Sequence, residues 1–132
     1  MKTLAIALFA SLLAACSSTS APSKASLEGE VFYLQRIALP PAATLSVSLQ
    51  DVSLMDAPAV TLASQNGPVK GNVPLPFRLT YDPAQVQPGH RYAVSARIEL
   101  DGELLFINTE QHAVQLDGQA AQPLRIKVDP VR

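Results

Sequence analysis

Tyr92, Val94, Ala96, Ile98 and Leu100 alternate with Ala93, Ser95, Arg97, Glu99 and Asp101, a period of two that no helix can use, because it sends successive side chains to opposite faces of an extended strand. The pattern recurs. Leu45, Val47 and Leu49 alternate with Ser46, Ser48 and Gln50; Val73, Leu75, Phe77, Leu79 and Tyr81 alternate with Pro74, Pro76, Arg78 and Thr80; Leu124, Ile126 and Val128 close the series. Turn signals at Pro40-Pro41, Asn66-Gly67-Pro68, Asp82-Pro83, Pro88-Gly89, Asp101-Gly102 and Asp117-Gly118 leave little room for helices. Asp101-Gly102 predicts a two-residue hairpin, since both central positions of the favoured turn need positive φ.

These strands and turns predict a single antiparallel β-sandwich of roughly seven or eight strands, of immunoglobulin or fibronectin type. The apolar phase slips from Leu49 to Val52 and Leu54, so a bulge or break is expected near Gln50 or Asp51. Pro74 and Pro76 cannot donate ladder hydrogen bonds, which places their strand at a sheet edge and makes that edge a candidate docking surface. The run Val86-Gln87-Pro88-Gly89-His90-Arg91-Tyr92-Ala93-Val94 resembles the tyrosine-corner stretch of fibronectin type III domains, with Val86 where leucine is usual. That resemblance gives Tyr92 a structural role, its hydroxyl bonding back to upstream backbone.

The N-terminus has another logic. Lys2 precedes an apolar run of ten residues, 4–13, and small Ala14 and Ala15 stand just before Cys16. This is signal-peptide architecture, and the run falls short of the ~20 apolar residues that span a bilayer. Leu13-Ala14-Ala15-Cys16 resembles the lipobox of bacterial lipoproteins, which implies a diacylglyceryl thioether on Cys16 and cleavage ahead of it. Two or three acyl chains hold a protein on a membrane where one does not. Ser17 stands where Asp would retain a Gram-negative lipoprotein at the inner membrane, so the resemblance implies the periplasmic face of the outer membrane. Residues 16–26 are expected to be the lipidated cysteine and a flexible tether, with r.m.s. span ~18 Å and full reach ~35 Å; residues 27–132 are the expected sandwich domain.

With Cys16 acylated, this single cysteine leaves no thiol for a disulfide, a metal or nucleophilic catalysis. Removing residues 1–15 leaves nine Lys+Arg (ten less Lys2) against eleven Asp+Glu, a net charge of −2. Without basic clusters or aromatic stacking runs, nucleic acid is not an expected partner. The two histidines, His90 and His112, have no second ligand at metal-site spacing and are expected to be structural or surface residues. Asp51 and Asp56 are the least ordinary carboxylates, and a glycosidase-like pair would need them to converge in a cleft. Bonding to turn backbone explains each more simply. No catalytic residue, cofactor or metal is expected.

Taken together, Arg36-Ile37-Ala38-Leu39-Pro40-Pro41, the strand 45–49, Asp51-Val52-Ser53-Leu54-Met55-Asp56-Ala57-Pro58 and Phe106-Ile107-Asn108-Thr109 resemble the YbaY/YscW family of Gram-negative lipoproteins. The similarity runs in order through residues 28–110 and is closer to the YbaY type. It implies a β-sandwich lipoprotein; in the YscW branch it implies a pilotin, a chaperone that helps an outer-membrane secretin assemble. The expected function is therefore a non-enzymatic, membrane-anchored assembly factor for an outer-membrane or secretion component, contacting the membrane through its acyl chains. A groove lined by Phe32, Leu34 and Phe106, in the phase opposite to Tyr33, Ile37 and Leu105, is one candidate partner surface; burial of these residues within the sandwich is the stronger expectation. The alternative is a stand-alone envelope stress or inhibitor-type binding module working through a loop such as residues 66–71.

Overall fold

The computed structural model describes residues 24–116 and 123–131; Cys16, the signal segment, residues 17–23 and the Asp117-Gly118 turn lie outside the described residues. Among the described residues the chain forms nine strands, β1 (Ala25–Phe32), β2 (Thr44–Asp51), β3 (Val60–Pro68), β4 (Leu75–Tyr81), β5 (Tyr92–Leu100), β6 (Glu103–Ile107), β7 (His112–Val114), β8 (Leu124–Lys127) and β9 (Asp129–Pro130), with one 3-10 turn at Pro83–Gln85. They make two sheets packed as a sandwich: a small one ordered β4-β1-β8 and a larger one ordered β3-β2-β5-β6-β9, with β7 also against β5. The fold is all-β, as the alternation requires. The first strand starts earlier than expected from the sequence, because Ala25 and Ser26, in the expected tether, pair with Tyr81 and Thr80.

Alternation places the core. Leu27 and Val31 from β1, Leu75, Phe77, Leu79 and Tyr81 from β4, and Ile126 from β8 face Leu45, Val47, Leu49, Val94, Ala96, Ile98 and Phe106 of the larger sheet, all buried. The interior holds no buried polar or charged residue and no unpartnered buried side-chain N or O among the described residues, so its stability rests on apolar burial and the backbone ladders.

One pairing departs from the antiparallel expectation: β8 runs parallel to β1, Gly29 opposite Leu124 and Phe32 opposite Lys127. The cause is where the chain crosses over. β7 runs antiparallel to β5 and ends with Val114 opposite Tyr92, at the end of the sandwich where β1 begins. Re-entering the small sheet from that end, β8 must point the same way as β1. At Val128, fully buried and donating its N–H to the Phe32 carbonyl at 2.9 Å, the chain then switches sheets to give β9.

Two bulges account for the irregular phases. The register between β2 and β3 passes from Leu49–Ala63 to Gln50–Thr61, so the extra residue is Leu62 on β3; β2 pairs with β5 without a break. β2 ends at Asp51, and Val52 and Leu54 belong to a loop. Between β5 and β6 the register passes from Ile98–Phe106 to Glu99–Leu104, leaving Leu105 as the extra residue. That bulge returns Phe106 to the core, where its ring stacks on Tyr33 at 4.5 Å. Phe106 and Tyr33 therefore share a phase, and the groove expected from Phe32, Leu34 and Phe106 does not form.

Among the described residues the turns follow their chemistry with one exception. Asp101 (φ 50°) and Gly102 (φ 81°) make the two-residue hairpin between Leu100 and Glu103. The exception is Asn66-Gly67-Pro68, which is the end of β3, paired with Ser46, Leu45 and Thr44, because pairing along β2 outweighs a local turn preference. Residues 66–68 thus do not form a free loop. β4 is an edge strand, as Pro76 within it and Pro74 just before it lead one to expect. Pro74 and Pro76 offer no N–H there, and the Arg78 N–H donates to Gln65 Oε1 of β3 at 2.8 Å, so this edge has little left to give an added strand.

Residues 82–91 carry the chain from the small sheet to the larger one. Asp82 caps the 3-10 turn by accepting from the Ala84 N–H at 2.9 Å, and the Tyr92 hydroxyl accepts from the Gln87 N–H at 2.8 Å, closing the crossing against the start of β5. Tyr92→Phe is expected to lower the unfolding free energy by ~1 kcal/mol, the net value of one such bond, with the ring's packing retained; urea titration against the parent measures it.

Candidate functional site

The strand registers define two ends of the sandwich. One gathers Ala25, Asp51, Tyr81, Tyr92 and Val114 with the loop 52–59 and the crossing 82–91. The other gathers Val31, Thr44, Pro68, Leu75 and Leu100 with the connection 33–43. Candidate surfaces fall at both ends and on the outer faces of the two sheets.

The densest polar cluster is at the first end and joins two elements distant in sequence. Asp51, the last residue of β2, accepts from the Ser53 N–H at 3.0 Å and the Ser53 hydroxyl at 2.6 Å through Oδ1, while Oδ2 meets His90 Nδ1 at 2.5 Å. Ser53 Oγ in turn accepts the Arg91 N–H at 2.7 Å, and the Val52 N–H donates to the Arg91 carbonyl at 2.8 Å. Aspartate bonding its own backbone two residues on is the turn chemistry expected of it. The Ser53 hydroxyl, then the His90 bond and the Ser53 N–H, hold the Asp51 carboxyl down at about 2, from 3.8.

This trio does not have the order of a hydrolase triad. There the histidine lies between serine and aspartate and takes the serine proton; here aspartate lies between, and Ser53 already gives its proton to Asp51. The arrangement staples loop 52–59 to the crossing 82–91. A carboxyl with a depressed folded pKa contributes stability above its unfolded pKa and loses it as pH falls. The stability of the protein is therefore expected to drop between about pH 4 and pH 2, and Asp51→Asn is expected to remove that part of the slope. Thermal melts of both proteins across this range test it.

The other singled-out residues do not assemble into chemistry. Asp56 is exposed in the loop beyond the staple, and His112 is half-buried at the start of β7, opposite Val94. Among the described residues no group of three or more His, Cys, Asp or Glu could hold a metal ion. No helix among them is long and apolar enough to cross a membrane.

What the surface offers is shape and apolar area. The outer face of the small sheet carries a shallow groove of about 610 Å³, crossed by the ion pairs Arg78–Glu28 at 3.5 Å and Arg125–Glu30 at 3.0 Å, with Arg125 also 4.5 Å over the Phe32 ring. The outer face of the larger sheet is polar, with Ser48 and Ser95 hydroxyls in contact at 2.8 Å. Large exposed apolar side chains stand at the two ends: Leu54 (70%) and Met55 (90%) in loop 52–59, and Leu34 (70%) and Ile37 (56%) in the connection 33–43. The phase of Val52 and Leu54 masks the first pair in the sequence; the signal that marks it is an apolar pair with no period-two partners, closed by Ala57-Pro58.

A family model described as type III secretion system lipoprotein chaperone (YscW) matches residues 22–127, which takes in all strands of both sheets but β9. The chain belongs to the YscW family. Its relatives place it in the YbaY/YscW group of lipoproteins: it is 38% identical over 109 residues to the uncharacterized lipoprotein YbaY of Escherichia coli (strain K12), an alignment covering 80% of this chain and 57% of YbaY. The chain thus spans little more than half of that relative's length. Among solved structures it is similar to an alternative pilotin from the type II secretion system of Vibrio cholerae, at 45% identity and TM-score 0.77 over 83% of this chain and 99% of that one.

Proposed function

We propose that this YscW-family chain is a non-enzymatic, pilotin-type lipoprotein that escorts an outer-membrane component of a secretion machine, anchored to the periplasmic face of the outer membrane by acyl chains on Cys16. The observation that carries the reading is the similarity to the Vibrio cholerae pilotin, which spans practically the whole of that chain. Family membership among lipoprotein chaperones points the same way. Residues 1–15 are the signal segment in this reading, and a tether leads from Cys16 to the start of β1. The apolar interior of the described residues and the order Ser53–Asp51–His90, unlike that of a hydrolase triad, fit a binding rather than a reacting surface. The sandwich itself reads as immunoglobulin or fibronectin type, supported by the Tyr92–Gln87 bond at a crossing between sheets.

The test is genetic and biochemical. In a strain lacking the gene, the amount of secretion channel in the outer-membrane fraction is expected to fall several-fold and to recover when the wild-type gene is restored. Unchanged channel amounts in that fraction, with secretion intact, would overturn the proposal.

A further inference from the structure

We propose that Leu54 and Met55 at the tip of loop 52–59 seat the anchored domain on the bilayer, entering the boundary between headgroups and acyl chains and leaving the opposite end of the sandwich facing the periplasm. This rests on the acylation of Cys16 proposed above and adds an orientation to it.

The position of the chain's entry into the fold selects this end. β1 begins at Ala25, paired with Tyr81, at the same end as Asp51 and the loop that follows it. Seven residues, 17–23, separate Cys16 from Lys24, and the eight Cα–Cα steps between the two span at most ~28 Å when fully extended. The eight-residue β1 is itself ~26 Å long. To bring Leu34 and Ile37 at the far end to the membrane, the connecting segment would have to run back along the whole domain almost fully stretched. Leu54 and Met55 need no such stretch.

The loop is also built to present rather than to bury these side chains. Its base is held by Val52 N–H to Arg91 and by the Asp51–Ser53–His90 staple, so the exposure of Met55 at 90% and Leu54 at 70% belongs to a pinned turn. Large apolar residues of this kind, held at the end of the sandwich where β1 begins, gain by entering the interface, where apolar side chains lie ~5–10 Å deep. A second point of contact limits the rotation that a tether alone allows. The small sheet's groove and the Leu34–Ile37 end then both remain accessible to a protein partner.

The experiment uses the full acylated protein, in which Cys16 is blocked and a single introduced cysteine is the one reactive thiol. Met55→Cys and, as the control at the opposite end, Leu34→Cys are labelled with a nitrobenzoxadiazole fluorophore and reconstituted into vesicles of phosphatidylethanolamine and phosphatidylglycerol. Lipids carrying a nitroxide high on the acyl chain are expected to quench the label at 55 several-fold more than the label at 34. Equal quenching at both positions, in protein that floats with the vesicles, would overturn the seating while leaving the anchor intact. Protein that does not float with the vesicles would overturn the anchor and the seating together.

Discussion

Gly29→Ala is expected to lower the unfolding free energy by about 3 kcal/mol, in the upper range for overpacking a core, and the melting temperature by roughly 15 °C. Gly29 lies mid-way along β1, the central strand of the small sheet, opposite Phe77 on one side and Leu124 on the other. A Cβ there would lie 2.8 Å from Leu124 Cβ and 2.9 Å from Phe77 Cζ and would press against the Leu124 carbonyl oxygen. Phe77 could swing its ring only by leaving a buried position, and the carbonyl could move only by shifting β8, so the strain has no soft outlet. Gly67→Ala is the matched control: nothing lies within 4 Å of its Cβ position, and removing a glycine from an accessible conformation is neutral or mildly stabilising. Denaturant titration of both variants beside the parent decides the matter. A Gly29→Ala protein as stable as Gly67→Ala would mean that β1 and β8 do not approach this closely.

Cys16→Ala is expected to have the largest functional effect. Each buried methylene of an acyl chain contributes ~0.8 kcal/mol, so that two or three chains make release from the bilayer negligible while none leaves only the seating loop. Wild-type protein in cells fed a clickable fatty acid should carry label and fractionate with the outer membrane, and Cys16→Ala protein should carry none. The secretion-channel phenotype should then match that of the deletion strain, although the β-sandwich is unchanged. Label on neither protein, with both soluble in the periplasm, would remove the lipid anchor and leave a secreted domain.

Much of this molecule was legible in advance because alternation is a local property. The buried residues Leu45, Val47 and Leu49 of β2, Leu75, Phe77, Leu79 and Tyr81 of β4 and Tyr92, Val94, Ala96 and Ile98 of β5 are those the alternation selects, since a strand's face is written every second residue. The Asp101-Gly102 hairpin and the Tyr92 corner were legible for a related reason: one needs positive φ at two adjacent residues, the other bonds a side chain to backbone only five residues upstream. The family was legible from the order of its residues over most of the chain, and the match over residues 22–127 agrees with it.

Where the structure departs from these expectations, the deciding contact is distant in sequence. The irregularity expected near Gln50 or Asp51 is present as the register shift between Leu49 and Gln50, but its extra residue, Leu62, lies on the neighbouring strand, and the bulge at Leu105 reverses the apparent phase of Phe106. Asn66-Gly67-Pro68 carries turn chemistry that cross-strand pairing with β2 overrode. The staple joining Asp51 to His90 crosses 39 positions, and the demand for glycine at 29 comes from a strand beginning at Leu124. An all-β chain, its inward faces and its tight turns follow from local sterics and the period of two, both of which are carried by neighbouring residues. The parallel direction of β8, the two bulges and the end at which Leu54 and Met55 stand beside the start of β1 come from the packed fold instead, because strand order and register are settled by which buried faces meet across the sandwich.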